Sequence, residues 1–558
     1  MVTHITEEIA RSVWYGWGDP ARARPLSQAA LKLLREELKL SSTEPSQPPV
    51  QLSEVRLGPV RLHEEVLAEL RAICGPQHVS TEARDRIEHA GGKSTPDLLR
   101  RRAGDALDAP DAVVFPADSA EIRQLLELCG RRRLAVVSFG GGTSVVGGVE
   151  PLRGRFDGVI TVDLRRMDKL LSIDPVSRTA TFEAGIRGPA IEAALSAHGF
   201  TLGHLPQSHQ QATLGGYIAT RSAGQASTGY GRSDDLVKSV HLETPVGPFD
   251  AGSDAPGTAA GPKLLDVVVG SEGIFGVITS ATVKITPAPR HKSYGAWSFP
   301  SFEAGVEALR RLRHEGVRGD MPHVCRLSDP DETATTFKLG GPKTELLGRY
   351  LALRGQKSPA LALLVWEGDA RETRARKRRS ARIMRQAGGV LLGPLPGESW
   401  EHGRFSGPYM RDELLTRGVY VETLETAASW TKAGASYTSV RQAIFDALEE
   451  KGGGAYVQAH VSHVYSDGAS LYFTFLGGLE EDGLAQNARI KDAASRAIVA
   501  AGATITHHHA VGTEHAPYMR AEIGGLGVRV LQGIKDVLDP QGIMNPGKLI
   551  PAATEETA

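Results

Sequence analysis

The alternation of apolar and polar positions predicts several short strands in the first half of the chain. Val, Ile and Thr alternate with other residues there, as in strands that bury one face. These segments are 158–164, 179–184, 237–244 and 276–285. A continuous apolar run over 134–137 is typical of a fully buried strand. Helices with start or stop signals are predicted over 119–129 and 189–198, so the region has an α+β pattern.

The same kind of pattern begins again after residue 293. A helix is predicted over 302–314, a buried strand over 360–366 and an aromatic strand over 472–475. The first hundred residues have mostly helical patterns, interrupted by a Pro- and Ser-rich linker. We therefore predict four parts, which are a helical N-terminal segment (1–108), a first α+β domain (109–288), a second α+β domain (289–505) and a C-terminal segment (506–558).

Composition agrees with a globular protein of several domains. A chain of 558 residues is too long for one core, and 41% hydrophobic with 23% charged residues is ordinary for globular proteins. The net charge of −1 gives no electrostatic pull toward nucleic acid, so we expect no such partner. Three scattered cysteines argue against a disulfide framework. Without a signal-peptide pattern or a run of about 20 apolar residues, a cytoplasmic location is expected.

A glycine-rich loop after the strand at 134–137 is the most informative motif of the chain. It contains Ser138, three consecutive glycines (Gly140, Gly141 and Gly142), Thr143 and Ser144. Glycine lets a ligand approach the backbone closely, and successive N–H groups form a concave anion site. The spacing matches neither a P-loop nor a GxGxxG motif. The loop therefore predicts a site for a diphosphate, with an ordinary glycine turn as the alternative.

Two later clusters share this composition of small and hydroxyl-bearing residues. The candidate binding residues of the second cluster are Gln207, Ser208, Thr213, Thr220, Arg221, Ser222 and Ala223. Those of the third cluster are Glu272, Gly273, Gly276, Val277 and Ile278. A loop as long as 206–224 without evident secondary structure is unusual in a compact domain unless it binds a ligand.

In order and spacing, the three clusters resemble the FAD-binding domain of the vanillyl-alcohol oxidase superfamily, the PCMH-type fold. The turn-rich segment 539–548 resembles that superfamily's closing segment. The resemblance implies one non-covalently held FAD as cofactor. It also implies an α+β fold in which 109–288 binds FAD, 289–505 forms a cap or substrate domain and 506–558 completes the active site.

Motifs outside the clusters resemble the alkyldihydroxyacetonephosphate synthase family. They are 14–18, 409–412, 422–426, 468–473 and 507–509. The resemblance implies exchange of the acyl group of acyl-dihydroxyacetone phosphate for a long-chain alcohol, without net redox change. It implies lipid substrates and a homodimer. The catalytic residues would be Tyr472, His507, His508, His509 and Arg326, and Arg411 and Thr423 would bind substrate. His460 departs from the family pattern, in which we expect arginine.

Each of these residues also has an ordinary structural explanation. Tyr472 lies on an aromatic strand, where core packing is common. The histidines follow 503–506, which we predict to be a strand, so that His507 and His509 would share one face and His508 the other. They could be core histidines; without a nearby carboxylate set, we expect no metal. The arginines could form surface ion pairs, Arg411 with the adjacent Asp412.

The residues alone also allow two other functions. The same scaffold could oxidise a D-2-hydroxy acid, with Arg326 or Arg411 holding its carboxylate, or it could bind flavin without catalysis. Tyr472 and the histidines argue against the last of these. The basic helix predicted over 371–386 is either a solvated face or a peripheral contact with anionic membrane.

Overall fold

The computed structural model describes residues 12–316 and 320–552. The strands in these ranges are β1 (Arg56–Leu57), β2 (Val79–Ser80), β3 (Asp105–Ala106), β4 (Ala112–Val114), β5 (Leu134–Phe139), β6 (Gly158–Asp163), β7 (Leu170–Asp174), β8 (Thr179–Glu183), β9 (Phe200–Thr201), β10 (Val237–Thr244), β11 (Gly247–Gly252), β12 (Val277–Lys284), β13 (Thr286–Pro287), β14 (His291–Phe299), β15 (Val324–Ser328), β16 (Ala360–Gly368), β17 (Val390–Gly393), β18 (Val419–Ser429), β19 (Ala455–Val464) and β20 (Gly468–Gly478).

The α-helices of the same ranges are α1 (Gln28–Glu37), α2 (Glu64–Cys74), α3 (Ala83–Glu88), α4 (Thr95–Arg102), α5 (Ser119–Arg132), α6 (Gly188–Ser196), α7 (Leu214–Ala219), α8 (Ser227–Tyr230), α9 (Ser233–Leu236), α10 (Leu265–Val268), α11 (Phe302–Glu315), α12 (Pro330–Leu339), α13 (Pro342–Leu353), α14 (Ala370–Gln386), α15 (Leu395–Gly403), α16 (Gly407–Thr416), α17 (Trp430–Glu449), α18 (Gly483–Ala501) and α19 (Met519–Leu538). Across the described residues, none of these helices combines the length and the apolar character that a membrane crossing requires.

The first domain contains two sheets around one hydrophobic core. One sheet has the strand order β2-β4-β6-β5, with β4, β6 and β5 parallel, and the other has the order β11-β10-β12-β8-β7 and is antiparallel. Both sheets contribute to the same core cluster. The N-terminal segment, which we expected to be mostly helical, also contains β2. This strand forms because Val79 is buried where it pairs with β4. The mixed α+β fold expected from the sequence is confirmed.

The second domain is built on a seven-stranded sheet, here called the cap sheet, with the order β17-β14-β16-β15-β19-β20-β18. Alternate residues of β20 point to opposite faces. Leu471, Phe473 and Phe475 pack in the core beneath α11, α14, α17 and α18. Tyr472, Thr474 and Leu476 therefore lie on the other face, which is turned toward the first domain.

Two local predictions are wrong. Residues 503–506 form no strand, because the chain turns so that several backbone N–H groups reach one carboxylate, described below. The segment 206–224 is not a loop throughout, since it contains α7, which begins where the Thr213 hydroxyl accepts a hydrogen bond from the Gly216 N–H at 3.3 Å. Residues 1–11 of the predicted N-terminal segment and residues 553–558 of the predicted C-terminal segment lie outside the described residues.

Candidate active site

A cavity of about 940 Å³ lies between the first domain and the cap sheet. It brings together most of the residues predicted from the sequence. Those on its wall are Ser138, Gly140, Gly141, Gly142, Thr143, Ser144, Gln207, Ser208, Thr213, Thr220, Ser222, Ala223, Glu272, Gly273, Gly276, Ile278, Arg326, Arg411, Thr423, Tyr472, His508 and His509.

Three predicted residues do not lie on this wall. The Arg221 guanidinium donates hydrogen bonds to the carbonyls of Val269 and Asp266, which directs it away from the cavity. The Val277 side chain is fully buried in the core of the first domain, as alternation along β12 requires. His507 lies behind His508 and contacts a second cavity instead. None of these three side chains lies on the wall of this cavity, and their binding and catalytic roles stay predictions.

The first two clusters pack directly against each other. A Cβ atom on Gly140 would lie 2.2 Å from the Thr213 hydroxyl, and one on Gly141 would lie 2.1 Å from the Gln211 carbonyl oxygen. No residue other than glycine fits at such distances. The triple glycine is therefore needed for contact between the two clusters as well as for approach of a ligand.

The C-terminal segment ties the glycine loop to the third cluster. The Asn545 amide donates hydrogen bonds to the carbonyl of Gly148 at 3.0 Å and to that of Glu272 at 2.7 Å. The Glu272 carboxylate in turn accepts from the N–H groups of Val511 and Gly512, both at 2.7 Å. Burial raises the pKa of Glu272 to about 7. Asn545 was missed because its partners are about 270 and 400 residues away in sequence.

The cradle formed by these clusters fits a dinucleotide cofactor. The Ser138 hydroxyl is buried on the cavity wall without a hydrogen-bond partner among the described residues, and bare glycine backbone lies beside it. Buried polar groups without partners are rare unless a ligand or water satisfies them. Backbone and hydroxyl donors around such a pocket suit the phosphates and ring edges of FAD.

Tyr472 faces the cavity from β20 and is surrounded by imidazoles. Its ring stacks on His460 with centroids 5.0 Å apart, on His508 at 6.1 Å, and meets the edge of His509 at 5.4 Å. Burial raises the pKa of Tyr472 to about 12, so at neutral pH its phenol carries its proton. Core packing does not explain Tyr472, because the core side of β20 is occupied by Leu471 and Phe473.

Arg326 forms an ion pair on the cavity wall. Its guanidinium donates to the Glu332 carboxylate at 2.7 Å. Nδ1 of His460 lies 3.1 Å from the Arg326 guanidinium nitrogen and 3.1 Å from the Glu332 carboxylate oxygen. Burial would raise the pKa of Glu332, but Arg326 and His460 hold it at about 2. Glu332 therefore neutralises the positive charge of Arg326. Glu332 has no motif that marks it in the sequence, since it comes from α12 and its partners come from β15 and β19.

The three consecutive histidines are held by one carboxylate that the sequence did not mark as a partner. Oε1 of Glu425 accepts hydrogen bonds from the backbone N–H groups of His507, His508 and His509 at 2.8–2.9 Å. Burial would raise the pKa of Glu425, yet the neighbouring His508 keeps it well below its usual range. This turn replaces the extended chain we predicted, so His507 and His509 do not share a face: His508 and His509 reach the cavity together.

Arg411 lies on the cavity wall and is not in a surface ion pair with Asp412. One guanidinium nitrogen donates to the Lys93 carbonyl at 2.6 Å, while Nε is buried without a partner among the described residues. Asp412 instead accepts from the Trp17 N–H at 2.6 Å and so holds the N-terminal motif in place. Arg411 therefore keeps donor capacity for an anionic ligand in the cavity.

Another part of the wall, here called the apolar section, is formed by α1 with the residues that flank it, α12, α16 and β20. Its side chains are Leu26, Ala30, Leu33, Leu34, Leu38, Leu339, Leu414 and Leu476. On β20 the wall passes from Tyr472 through Thr474 to Leu476, a distance of about 14 Å at about 3.4 Å per residue. The cavity thus joins the glycine-rich cradle, the imidazole cluster and a hydrophobic passage.

Comparisons with known proteins agree with this arrangement. A model of the FAD binding domain family matches residues 110–249, and a model of the C-terminal domain of FAD linked oxidases matches residues 288–549. An alkyldihydroxyacetonephosphate synthase of Trypanosoma brucei brucei is 33% identical over 100% of this chain and 94% of its own length. The chain belongs to the alkyldihydroxyacetonephosphate synthase family.

Other members of the synthase family support this placement. The Dictyostelium discoideum synthase is 31% identical over 97% of this chain and 94% of its own length. A solved structure of alkyldihydroxyacetonephosphate synthase superimposes with a TM-score of 0.82 at 28% identity, over 97% of this chain and 99% of that chain. The cofactor predicted from the clusters, FAD, is confirmed by the two family models, and the cradle of this synthase-family chain fits it.

Proposed function

We propose that this chain exchanges the acyl group of acyl-dihydroxyacetone phosphate for a long-chain alcohol, the reaction that its resemblance to the alkyldihydroxyacetonephosphate synthase family implies. The observation that carries the proposal is the continuity of the cavity: the FAD cradle, Tyr472 with its imidazoles, and the apolar section share one wall. A substrate with a phosphorylated head and a long chain needs all three.

In this reaction the side chains bind, orient and transfer protons. When bound, FAD supplies the nucleophilic ring chemistry for exchange at the substrate carbon. Arg411 offers its free donor to the phosphate, and Thr423 lies beside Tyr472 on the neighbouring strand β18. Tyr472, protonated at neutral pH, donates a proton to a leaving carboxylate or accepts one from an alcohol through the adjacent imidazoles.

The neutralised Arg326 has a different role from the one expected. Because Glu332 and His460 share its guanidinium, we infer that Arg326 holds the imidazole of His460 against the Tyr472 ring. It then acts through Tyr472, and Arg411 is the residue that contacts the anionic head.

The alternative reaction, oxidation of a D-2-hydroxy acid such as lactate, requires no apolar section. Purified protein should be incubated with palmitoyl-dihydroxyacetone phosphate and hexadecanol, and separately with D-lactate and a dye acceptor. We expect ether product and free palmitate without oxygen consumption. Rapid dye reduction by D-lactate, with no ether product, would favour the oxidoreductase.

Membrane contact and self-association are further proposals. On α14, Arg371, Arg374, Arg378 and Arg382 are exposed and repeat every three or four residues, which suits an anionic lipid surface. A homodimer is supported by exposed apolar side chains on α19, where Leu526 is 67% and Val530 is 55% exposed. Light scattering of the purified protein, expected to give twice the chain mass of 59.6 kDa, tests the dimer.

A further inference from the structure

A second cavity of about 570 Å³ lies behind the histidines. Its wall includes the exposed residues Ser429, Lys432 and Asp467, so it opens to the surface. Both cavities share His508 on their walls, together with Thr220, Glu272 and Ala510. His508 is therefore accessible from the active site on one side and, on the other, from a cavity that opens to the surface.

A chain of hydrogen bonds leads from His508 into this second cavity. Nδ1 of His508 lies 3.0 Å from Nδ1 of His507, and Nε2 of His507 lies 2.6 Å from the hydroxyl of Tyr465. His507 and Tyr465 line the second cavity and not the first. Both contacts are within hydrogen-bonding distance, so each ring nitrogen of His507 has a partner on a different side.

The stoichiometry of the exchange requires a route for one proton. An ester and an alcohol give an ether and a carboxylic acid, and the acid ionises at neutral pH because its pKa lies near 4–5. One proton must therefore leave the site in every turnover. The aliphatic side chains that define the apolar section cannot themselves transfer a proton.

We propose that Tyr465 and His507 carry this proton from His508 to the second cavity. The inference rests on the proposed function. His508 takes the released proton at Nε2 from the first cavity and gives its Nδ1 proton to Nδ1 of His507. The Nε2 proton of His507 passes to the Tyr465 oxygen, and the original hydroxyl proton of Tyr465 passes to water in the second cavity. Each group loses one proton and gains one, and no oxidant or other reactant is needed.

The groups around His507 suit such a transfer. The rings of His463 and His507 stack with centroids 5.2 Å apart, and His463 is fixed by a 2.6 Å hydrogen bond to Ser227. The charged groups that face His507 are Glu425, which fixes its backbone, and Arg232. Burial lowers the pKa of His507 to about 3, so the ring is neutral and has one donor and one acceptor nitrogen.

The test is Tyr465→Phe, which keeps the ring that packs on His507 and removes only the hydroxyl. The matched control is Tyr518→Phe, because the Tyr518 hydroxyl bonds Asp492 and lies on the wall of neither cavity. We expect Tyr465→Phe to lower kcat at least about 10-fold with KM for the acyl substrate unchanged. The effect of D₂O on kcat should increase, and added imidazole should restore part of the rate. Tyr518→Phe should behave like the wild type.

A second readout does not depend on turnover. In protein labelled with ¹⁵N-histidine and measured without substrate, Tyr465→Phe should shift the Nε2 resonance of His507. His507→Gln, a second variant, should lower kcat as Tyr465→Phe does, and the double variant should be no slower than either. If the wild type makes ether product while Tyr465→Phe keeps its kcat and its isotope effect, the relay is wrong and the function stands. If the wild type makes no ether product, both are wrong.

Discussion

At the scale of single residues, the side chains with the clearest chemistry are those whose ordinary structural role is already filled by a neighbour. Leu471 and Phe473 supply the core contacts of β20, so Tyr472 is free to face the cavity. Asp412 binds the N-terminal motif, so Arg411 keeps an unused donor. Residue type alone could not separate these cases from core packing or a surface ion pair.

Replacing Tyr472 tests the proton-transfer role. Tyr472→Phe removes the hydroxyl but keeps the ring between His460 and His508. Because a positioned acid or base contributes about 10²- to 10⁴-fold, we expect kcat for the exchange to fall by that range. Flavin absorbance should stay at the wild-type ratio to protein. A variant with normal turnover would mean that Tyr472 is a packing residue.

Replacing Arg411 tests recognition of the anionic head. Arg411→Lys keeps the charge but loses the planar fork, so it should raise KM for the acyl substrate. A hydrogen bond to a charged group is worth about 1.5–3 kcal/mol, or about 10- to 100-fold in KM. Arg417→Lys is the control, since Arg417 donates to the Thr43 carbonyl and does not line the cavity. Equal KM values for the two variants would remove Arg411 from the substrate site.

At the scale of elements, the sequence predicted best what depends on local pattern. The strand at 237–244 has the predicted bounds, and the helix at 371–386 begins one residue early. Period-two alternation sets such strands, and it needs no knowledge of distant contacts. The predicted strand at 503–506 failed because Glu425, about 80 residues earlier, draws three backbone N–H groups into a turn. Glu332 and Asn545 were missed for the same reason.

The apolar section gives a prediction that belongs to helix α1. Ala30 lines the cavity, while the adjacent Ala29 is exposed and does not. Ala30→Phe should shorten the space for the alkyl chain. If three methylenes are excluded, the loss is about 2.4 kcal/mol at about 0.8 kcal/mol each, which lowers kcat/KM for hexadecanol about 50-fold. Octanol should be affected much less, and Ala29→Phe should change neither. Equal losses for both alcohols would mean that the chain does not bind there.

At the scale of the whole molecule, the internal cavities and the outer surface have different roles in the proposed reaction. We propose that the first cavity receives a lipid chain along its apolar section and releases a proton through the second cavity, which lies behind the histidines. Separate routes of this kind would keep water away from the hydrophobic passage. Because long-chain lipids partition into membranes, we propose that the outer surface also brings the enzyme to a bilayer.

We expect the exposed arginines of α14 to bind the bilayer. They are Arg371, Arg374, Arg378 and Arg382. Arg376 and Arg379 are already used within the protein, by the Met321 carbonyl and by Asp320, whereas Arg374 and Arg378 are exposed. A cationic side chain near anionic lipid contributes about 1 kcal/mol, so replacing Arg374 and Arg378 with Gln should weaken liposome binding about 30-fold. Binding of the wild type to phosphatidylserine vesicles should fall as salt rises, because exposed charges are screened.

Replacement of the exposed Arg520 and Arg529 of α19 with Gln removes the same net charge and is the matched control. Co-sedimentation with vesicles measures all three proteins, and the control should bind like the wild type. If the two double variants lose affinity equally, attraction depends on net charge and α14 is a solvated face. If only the α14 variant loses affinity, the same helix that covers the cap sheet also docks the enzyme where its substrates are found.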